Sequence, residues 1–254
     1  EKIINEADRV PDGKSPGPDD LILTYLPLCH VAERIFSTWT MCTAGSSLNF
    51  AESIDTVTLN LREVQPTVFF AVPRIWERLL AGVYIRGNDA TPFKRALFNF
   101  GIRLARTIGK EKVANGGDHT VKSRVLSWIG EPLVFRAIKE RIGLRRCRYS
   151  ASGAAAIAPE VLEFFMGIGV PVFELYGMTE NSAVATCNFA GRIKLGTVGE
   201  PYAGIGLRLD PETGELTEAA IQRGIATLRQ FKDLAVSHQV EQIVTAATSA
   251  VGGA

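Results

Sequence analysis

The sequence predicts an α/β fold, a sheet with helices on its faces. Three observations carry that reading. Short apolar runs alternate with segments of helical period along most of the chain. Gly and Pro fall at the joins between them. Several of the apolar runs are uninterrupted, as suits strands covered on both sides.

The elements follow in order. Residues 1–20 are polar and rich in Pro, Gly and Asp, and read as a leading surface segment. A strand spans Leu21 to Leu26, a helical segment runs from Val31 to Cys42 and ends near Gly45, and Ser47 to Phe50 is a second strand. Asp55 to Val64 reads as a helix stopped by Gln65-Pro66, because a residue before proline is pushed out of helical geometry. Thr67 to Val72 is a buried strand and Ile75 to Tyr84 the next helix. Between Thr91 and Lys112, Phe93, Leu97, Phe100, Leu104 and Ile108 keep helical spacing, with Arg95, Arg103, Arg106 and Lys110 among them. That stripe reads as core-facing with a solvated basic face; contact with membrane lipid or CoA phosphates is the second reading. Asn115-Gly116-Gly117 marks a loop, and a helix runs from Pro132 to Gly143. A strand at Cys147 to Ala151 leads into the loop Ser152 to Ala156, a helix opening at Pro159, and a buried strand, Val170 to Leu175.

With 254 residues, 46% hydrophobic and 22% charged, the chain has room for one large α/β domain or two small ones and is globular in composition. Its 28 basic and 27 acidic residues leave a net charge of +1, which gives no footprint for nucleic acid. The cysteines Cys29, Cys42, Cys147 and Cys187 form no CxxC pair, and read as reduced, which points to a cytoplasmic setting. No apolar run approaches the roughly 18 residues that cross a bilayer. The chain begins with Glu1 rather than Met, as expected of a piece of a longer protein, so the sequence does not bear on a leader.

The densest chemistry follows the last of these strands. In Glu174-Leu175-Tyr176-Gly177-Met178-Thr179-Glu180 an aromatic, a glycine, a hydroxyl and a carboxylate stand just beyond a strand end, where open α/β sheets bind ligands. Tyr176 offers a face for a purine, Gly177 a close backbone approach, Thr179 a donor to a phosphate oxygen and Glu180 a hard ligand for Mg²⁺ held together with substrate phosphates. Such a turn is equally at home as a surface loop. The small residues of Ser152-Gly153-Ala154-Ala155 leave room for a base or ribose, or form a tight turn that caps a helix. His30 either caps the helix after it or faces a ligand. Trp76 and Phe70 read as core.

Ser152-Gly153-Ala154-Ala155, Tyr176-Gly177-Met178-Thr179-Glu180 and Gly196-Thr197-Val198-Gly199-Glu200-Pro201 together resemble the ordered motif set of the acyl-adenylate-forming superfamily. Tyr25-Leu26-Pro27-Leu28-Cys29-His30-Val31-Ala32-Glu33-Arg34 and Val72-Pro73-Arg74-Ile75-Trp76-Glu77-Arg78 resemble its AMP-forming long-chain fatty acyl-CoA synthetases, including the bubblegum type. The resemblance covers about residues 15–214 and implies part of the large N-terminal domain of such an enzyme, a partial adenylation domain over 21–214. It implies that Gly153, Ala154, Tyr176, Gly177, Met178 and Thr179 line a site for ATP and AMP. Glu180 would hold Mg²⁺, and Thr179, Glu180 and His30 would flank the reacting groups. The implied substrates are a fatty acid, ATP and CoA, with peripheral membrane contact possible. The reaction forms an acyl-adenylate and then passes the acyl group to CoA, by positioning and charge neutralisation rather than a side-chain nucleophile.

The family's Ser/Thr/Gly-rich phosphate loop is expected before Leu21 and is not found; Thr43-Ala44-Gly45-Ser46-Ser47 reads as a helix end instead. The downstream ribose-binding Asp and the small domain with its catalytic Lys are not found either. Turnover by this chain is therefore expected to be impaired. A binding module for AMP or acyl-adenylate without turnover, or a non-functional fusion product, are the alternatives. Residues from about Leu216 to the end, 215–254 as a segment, resemble part of the exopolyphosphatase and guanosine-pentaphosphate phosphatase family. They carry a helix with the stripe Ile221, Ile225, Leu228, Phe231 and Ala235, then a strand from Gln242 to Ala246. A foreign helix-strand tail of this kind predicts an unpaired edge or exposed apolar surface near 200–216.

Overall fold

The computed structural model describes residues 16–202, 205–206, 222 and 229–230. The chain divides into two units, Glu1–Leu207 and Arg208–Ala254. The tail helix and strand expected after residue 216, and most of the expected exposed edge, lie outside the described residues.

In the first unit the α/β expectation holds. Strands β1 (Leu21–Thr24), β2 (Ser47–Phe50), β3 (Val68–Ala71), β4 (Tyr149–Ser152) and β5 (Val172–Tyr176) pair in parallel in the order β2-β1-β3-β4-β5. Parallel neighbours need crossovers, and helices supply them. Helix α1 passes through Val31–Glu33, a π-helical stretch Arg34–Trp39, and Thr40–Ala44. Then come α2 (Val57–Val64), α3 (Pro73–Asn88) and α4 (Pro92–Ala114). Next, α5 (Val121–Gly130) runs through a π-helical stretch, Glu131–Phe135, into α6 (Arg136–Ile142), and α7 (Pro159–Gly167) lies between β4 and β5. Two short strands, β6 (Thr186–Cys187) and β7 (Glu200–Pro201), then add antiparallel to β5 and to each other.

Local signals explain the boundaries. Gly45 ends α1 in the left-handed conformation at φ 74°, so the Thr43–Ser47 stretch is a helix end as expected. Gln65 ends α2 at φ 51°, an unusual choice for a residue with a side chain. Its amide compensates by donating to the Glu140 carbonyl at 3.2 Å and accepting from the Arg145 backbone N–H at 3.2 Å. Proline opens α3, α4 and α7, where its missing N–H costs nothing.

Two sequence expectations change. The helix expected from Pro132 begins eleven residues earlier, at Val121, because Pro132 sits inside a π-helical turn that tolerates its missing donor. The apolar stripe of α4 is core-facing only in its second half: Leu104 and Ile108 are buried, whereas Phe93 and Phe100 are 79% and 43% exposed. The buried face there includes Gly101, which a side chain would drive into Val134, and Ala105 and Gly109, whose small size lets α7 approach closely.

The core lies between the sheet and helices α2 to α7. Trp76 is fully buried, edge-on to Phe69 at 5.6 Å and Phe165 at 4.9 Å, so its reading as core holds. Each such side chain contributes roughly 1.5–3 kcal/mol by leaving water. Phe70 is partly buried and stacks on Phe36 of α1 at 4.6 Å. A buried clamp fixes the start of β1. Asp20 accepts from Arg148 at 2.9 and 2.5 Å, from the Thr67 hydroxyl at 2.6 Å and from the Gly17 backbone at 2.9 Å. The last residue of the polar leading segment is thus an anchor. Among the described residues no helix is long and apolar enough to cross a membrane.

Candidate functional site

The site is built from the turns that leave the carboxyl ends of β4 and β5. These strands are neighbours, with Ser152 paired to Glu174, so the two turns emerge side by side. Gly153 follows β4, and a β-carbon there would meet the Leu175 side chain at 2.7 Å, so glycine lets the first turn lie against β5 without displacing that side chain. Ala154 adopts φ 72°. In the second turn a side chain at Gly177 would sit 1.8 Å from the Ala183 carbonyl; the turn closes on itself across that missing side chain. Thr179–Asn181 form one turn of 3₁₀ helix, and the Met178 backbone N–H donates to the Asn181 side chain at 2.9 Å. Ser182 and Ala183 take φ 62° and 72°. Three of the four non-glycine residues with positive φ among those described stand in these two turns. Each costs on the order of 1–3 kcal/mol, a strain that clusters at ligand sites.

Tyr176 and Met178 are each 44% exposed, and Thr179 and Glu180 are exposed. No hydrogen bond or ion pair occupies the Thr179 hydroxyl or the Glu180 carboxylate among the described residues. His30 lies at the same edge, after β1. Strand spacing puts β1 roughly 10 Å from β4, with β3 between them. Its Nδ1 accepts from the Ala32 backbone N–H at 3.1 Å, so the capping reading is realised and the outer Nε2 is left as donor. The residues around it brace this loop. Glu33 accepts from the Leu26 backbone N–H at 3.0 Å, Arg34 donates to the Leu28 carbonyl at 2.9 Å, and the Tyr25 hydroxyl accepts from the Val72 backbone N–H at 3.1 Å. Burial, with the Glu33 charge adding to it against the Val72 hydrogen bond, pushes the Tyr25 phenol up to about 12.

Beneath the turns are three buried oxygens without a hydrogen-bond partner: Ser152 Oγ, Glu174 Oε2 and Thr186 Oγ1. By register they share one side of the sheet, since Ser152 pairs with Glu174, and Thr186 pairs with Tyr176 two residues further along β5. Burial raises the Glu174 carboxyl above its ordinary range, opposed by a hydrogen bond from the Ile157 backbone. Ser152 and Glu174 fall within the motifs named from sequence but were given no role there, and Thr186 was not named. A carboxylate inside an otherwise apolar strand was the signal available. Glu180 is the hard ligand in reach, and no cluster of three metal-ligating side chains exists among the described residues.

The loop between β6 and β7 is tied by Asn188, which donates to the Thr197 carbonyl at 2.8 Å and accepts from the Lys194 backbone N–H at 3.0 Å. The Gly196–Pro201 motif thus ends the sheet beside β6, one strand from β5, with Arg192 ion-paired to Glu200 at 2.5 Å.

The family model of the AMP-binding enzymes matches residues 2–224. The chain belongs to the AMP-binding enzyme family. This member is 34% identical over 190 residues to the long-chain-fatty-acid–CoA ligase ACSBG2 of Gallus gallus, covering 73% of the chain and 24% of that protein. It is 36% identical over 184 residues to the peroxisomal long chain acyl-CoA synthetase 6 of Arabidopsis thaliana, covering 72% and 24%. Among solved structures, a benzoate CoA ligase from Burkholderia xenovorans LB400 covers 83% of the chain and 35% of its own, at 17% identity and a TM-score of 0.48. The chain therefore spans about a quarter of the length of these curated relatives.

Proposed function

We propose that the turns after β4 and β5 hold the AMP moiety of an acyl-adenylate, and that the chain is the nucleotide-binding part of a long-chain fatty acid–CoA ligase. The observation that carries this reading is the set of unpartnered buried oxygens, Ser152 Oγ, Glu174 Oε2 and Thr186 Oγ1, under an exposed Tyr176 ring. An unmatched buried polar atom costs about 1–3 kcal/mol, and a bound polar ligand removes that cost.

In this reading Gly153 and Ala154 present backbone to the ribose and purine, and Tyr176 packs on the adenine. Gly177 and Met178 complete the wall, and the Thr179 hydroxyl donates to the phosphate. Glu180 would hold Mg²⁺, which when bound neutralises charge on phosphate oxygens. His30 Nε2 would donate to a carboxylate or phosphate oxygen at the acyl end. A fatty carboxylate oxygen attacks the α-phosphorus of ATP and pyrophosphate leaves; the CoA thiol then takes the acyl group and AMP departs. The residues orient these groups and supply donors, so no side-chain nucleophile is needed. A cytoplasmic location, with the basic face of α4 at a membrane, accompanies the proposal, as does a segmentation into 1–20, 21–214 and a phosphatase-like 215–254.

Isothermal titration with AMP in Mg²⁺ tests it. Saturable binding that Tyr176→Ala weakens by roughly tenfold or more, in line with the stacking of a base on an aromatic ring, is expected. Absence of binding, or binding indifferent to both Tyr176→Ala and Glu180→Ala, would overturn it. A CoA-dependent product assay then separates a ligase from a binding module.

A further inference from the structure

A second cavity, of about 420 Å³, lies among α2, α3, α4 and α6, and shares no residue with the two nucleotide turns or His30. Its size is that of a small-molecule site. Leu79, Val83, Phe98 and Ile138 give it an apolar floor. Its rim is cationic: Arg62, Arg78, Arg86, Lys94 and Arg141 line it, and no Asp or Glu does. Arg78 reaches Asp55 only at 3.9 Å, with both groups largely exposed, a pair worth little. The side chains of the other four make no ion pair or hydrogen bond among the described residues. Arg62 is the sharpest case, because its Nε is buried with no acceptor. Burial, reinforced by the neighbouring Arg86 charge, also lowers its pKa.

Gly82 is an independent observation. It lines this cavity from the interior of α3, and a β-carbon built there would meet nothing within 4 Å. A glycine inside a helix costs about 1 kcal/mol relative to alanine. At Gly109 and Gly167 the glycine is required by neighbouring backbone; at Gly82 no protein atom requires it. What its bareness preserves is the open volume of the cavity.

We propose that this cavity binds a single-chain anionic amphiphile, its alkyl chain on Leu79, Val83 and Phe98 and its carboxylate or phosphate head on Arg62 and Arg86. An apolar floor without a cationic rim would take any hydrocarbon, and a cationic rim without the floor would take any anion. The two together select a ligand with both parts. The orphaned Arg62 donor gains an acceptor, and the Arg62–Arg86 repulsion is relieved by the head group. This site does not depend on the nucleotide reading, because no residue is common to the two.

The test is titration of the full chain with dodecyl phosphate, dodecanoate and dodecanol, all below micelle formation. The two anions should bind saturably, at about one per chain and at least roughly tenfold tighter than dodecanol, as charge-assisted hydrogen bonds imply. Arg62→Gln combined with Arg86→Gln should erase that preference while leaving dodecanol unaffected. Gly82→Leu should abolish binding of all three without lowering the melting temperature, because it fills open space and improves helix propensity. AMP titration of each variant serves as a check that the other site is intact. Equal binding of dodecanol and the anions, or anion binding that survives Gly82→Leu, would overturn the proposal. So would association with phosphatidylglycerol vesicles in the absence of binding by the monomeric anions, which would make the face a membrane contact instead.

Discussion

Helices α4 and α7 cross so closely that each places a glycine against the other's backbone. A β-carbon at Gly109 would lie 1.9 Å from the Glu163 carbonyl oxygen, and one at Gly167 would lie 1.9 Å from that of Ala105. The closest ordinary carbon–oxygen contact is about 3.3 Å, so Gly109→Ala must part the two helices by roughly 1.4 Å. Neither partner is a side chain that can swing aside. Overpacking of this kind costs about 3 kcal/mol at the upper end of its range, and the gain in helix propensity offsets about 1, leaving a net loss of about 2 kcal/mol. For a chain of this size that is a fall in melting temperature of roughly 4–8 °C. Gly82→Ala is the matched control, the same substitution inside a helix but with open space beyond it. It should raise the melting temperature by about 1–4 °C. Calorimetry or circular dichroism on the two variants decides the matter, and shifts of the same sign would refute the packing argument.

Other outcomes follow from buried groups. Burial tends to raise the Asp20 carboxyl, but Arg148, Thr67 and Gly17 outweigh it and hold the pKa below 3.8, so its stabilisation is present above that value and lost as pH falls below it. Asp20→Asn should lower stability by roughly 1.5–3 kcal/mol at neutral pH, by removing the carboxylate that Arg148, Thr67 and Gly17 bond, and should flatten the acid limb of a denaturation series. Glu174 has the opposite sign: its raised pKa means that stability is full below 4.5 and declines as pH rises past it. Glu174→Gln should therefore match the parent near pH 4 and exceed it by about 1 kcal/mol at pH 8, as read by urea midpoints. The four thiols should divide in a native titration. Exposed Cys29 and Cys42 react at once, whereas buried Cys187 and Cys147, whose thiol burial pushes up to about 12, react only on unfolding.

The parallel half of the sheet was legible because the helix before each of β2, β3 and β4 is closed by a residue with a backbone reason to stop. Gly45, Gln65-Pro66 and Gly143 end α1, α2 and α6, and Gly143 does so at φ 80°. The first half of α4 was misread because periodicity marks which residues share a face, not whether another helix covers it. Phe93 and Phe100 lie on the expected face but beyond the reach of α7. Helix α5 was missed since Val121, Val125 and Trp128, its large apolar residues, are exposed and give no buried stripe. Strands β6 and β7, two residues each, are fixed by the pairing of β6 to β5, of β7 to β6, and by Asn188, contacts that no local pattern reveals. At the site the exposed Tyr176, Thr179 and Glu180 were readable as residue types. The orphaned oxygens of Ser152, Glu174 and Thr186 were not, because only strand register brings them together.

Hydrogen–deuterium exchange of the chain in Mg²⁺, with and without a non-hydrolysable acyl-adenylate analogue, tests the nucleotide reading most directly. The account predicts slowed exchange concentrated in residues 152–157 and 174–187, with the loop around His30 slowed as well, and no change along α3 or α6. Unchanged exchange in both turns, or protection that falls mainly elsewhere, would contradict it.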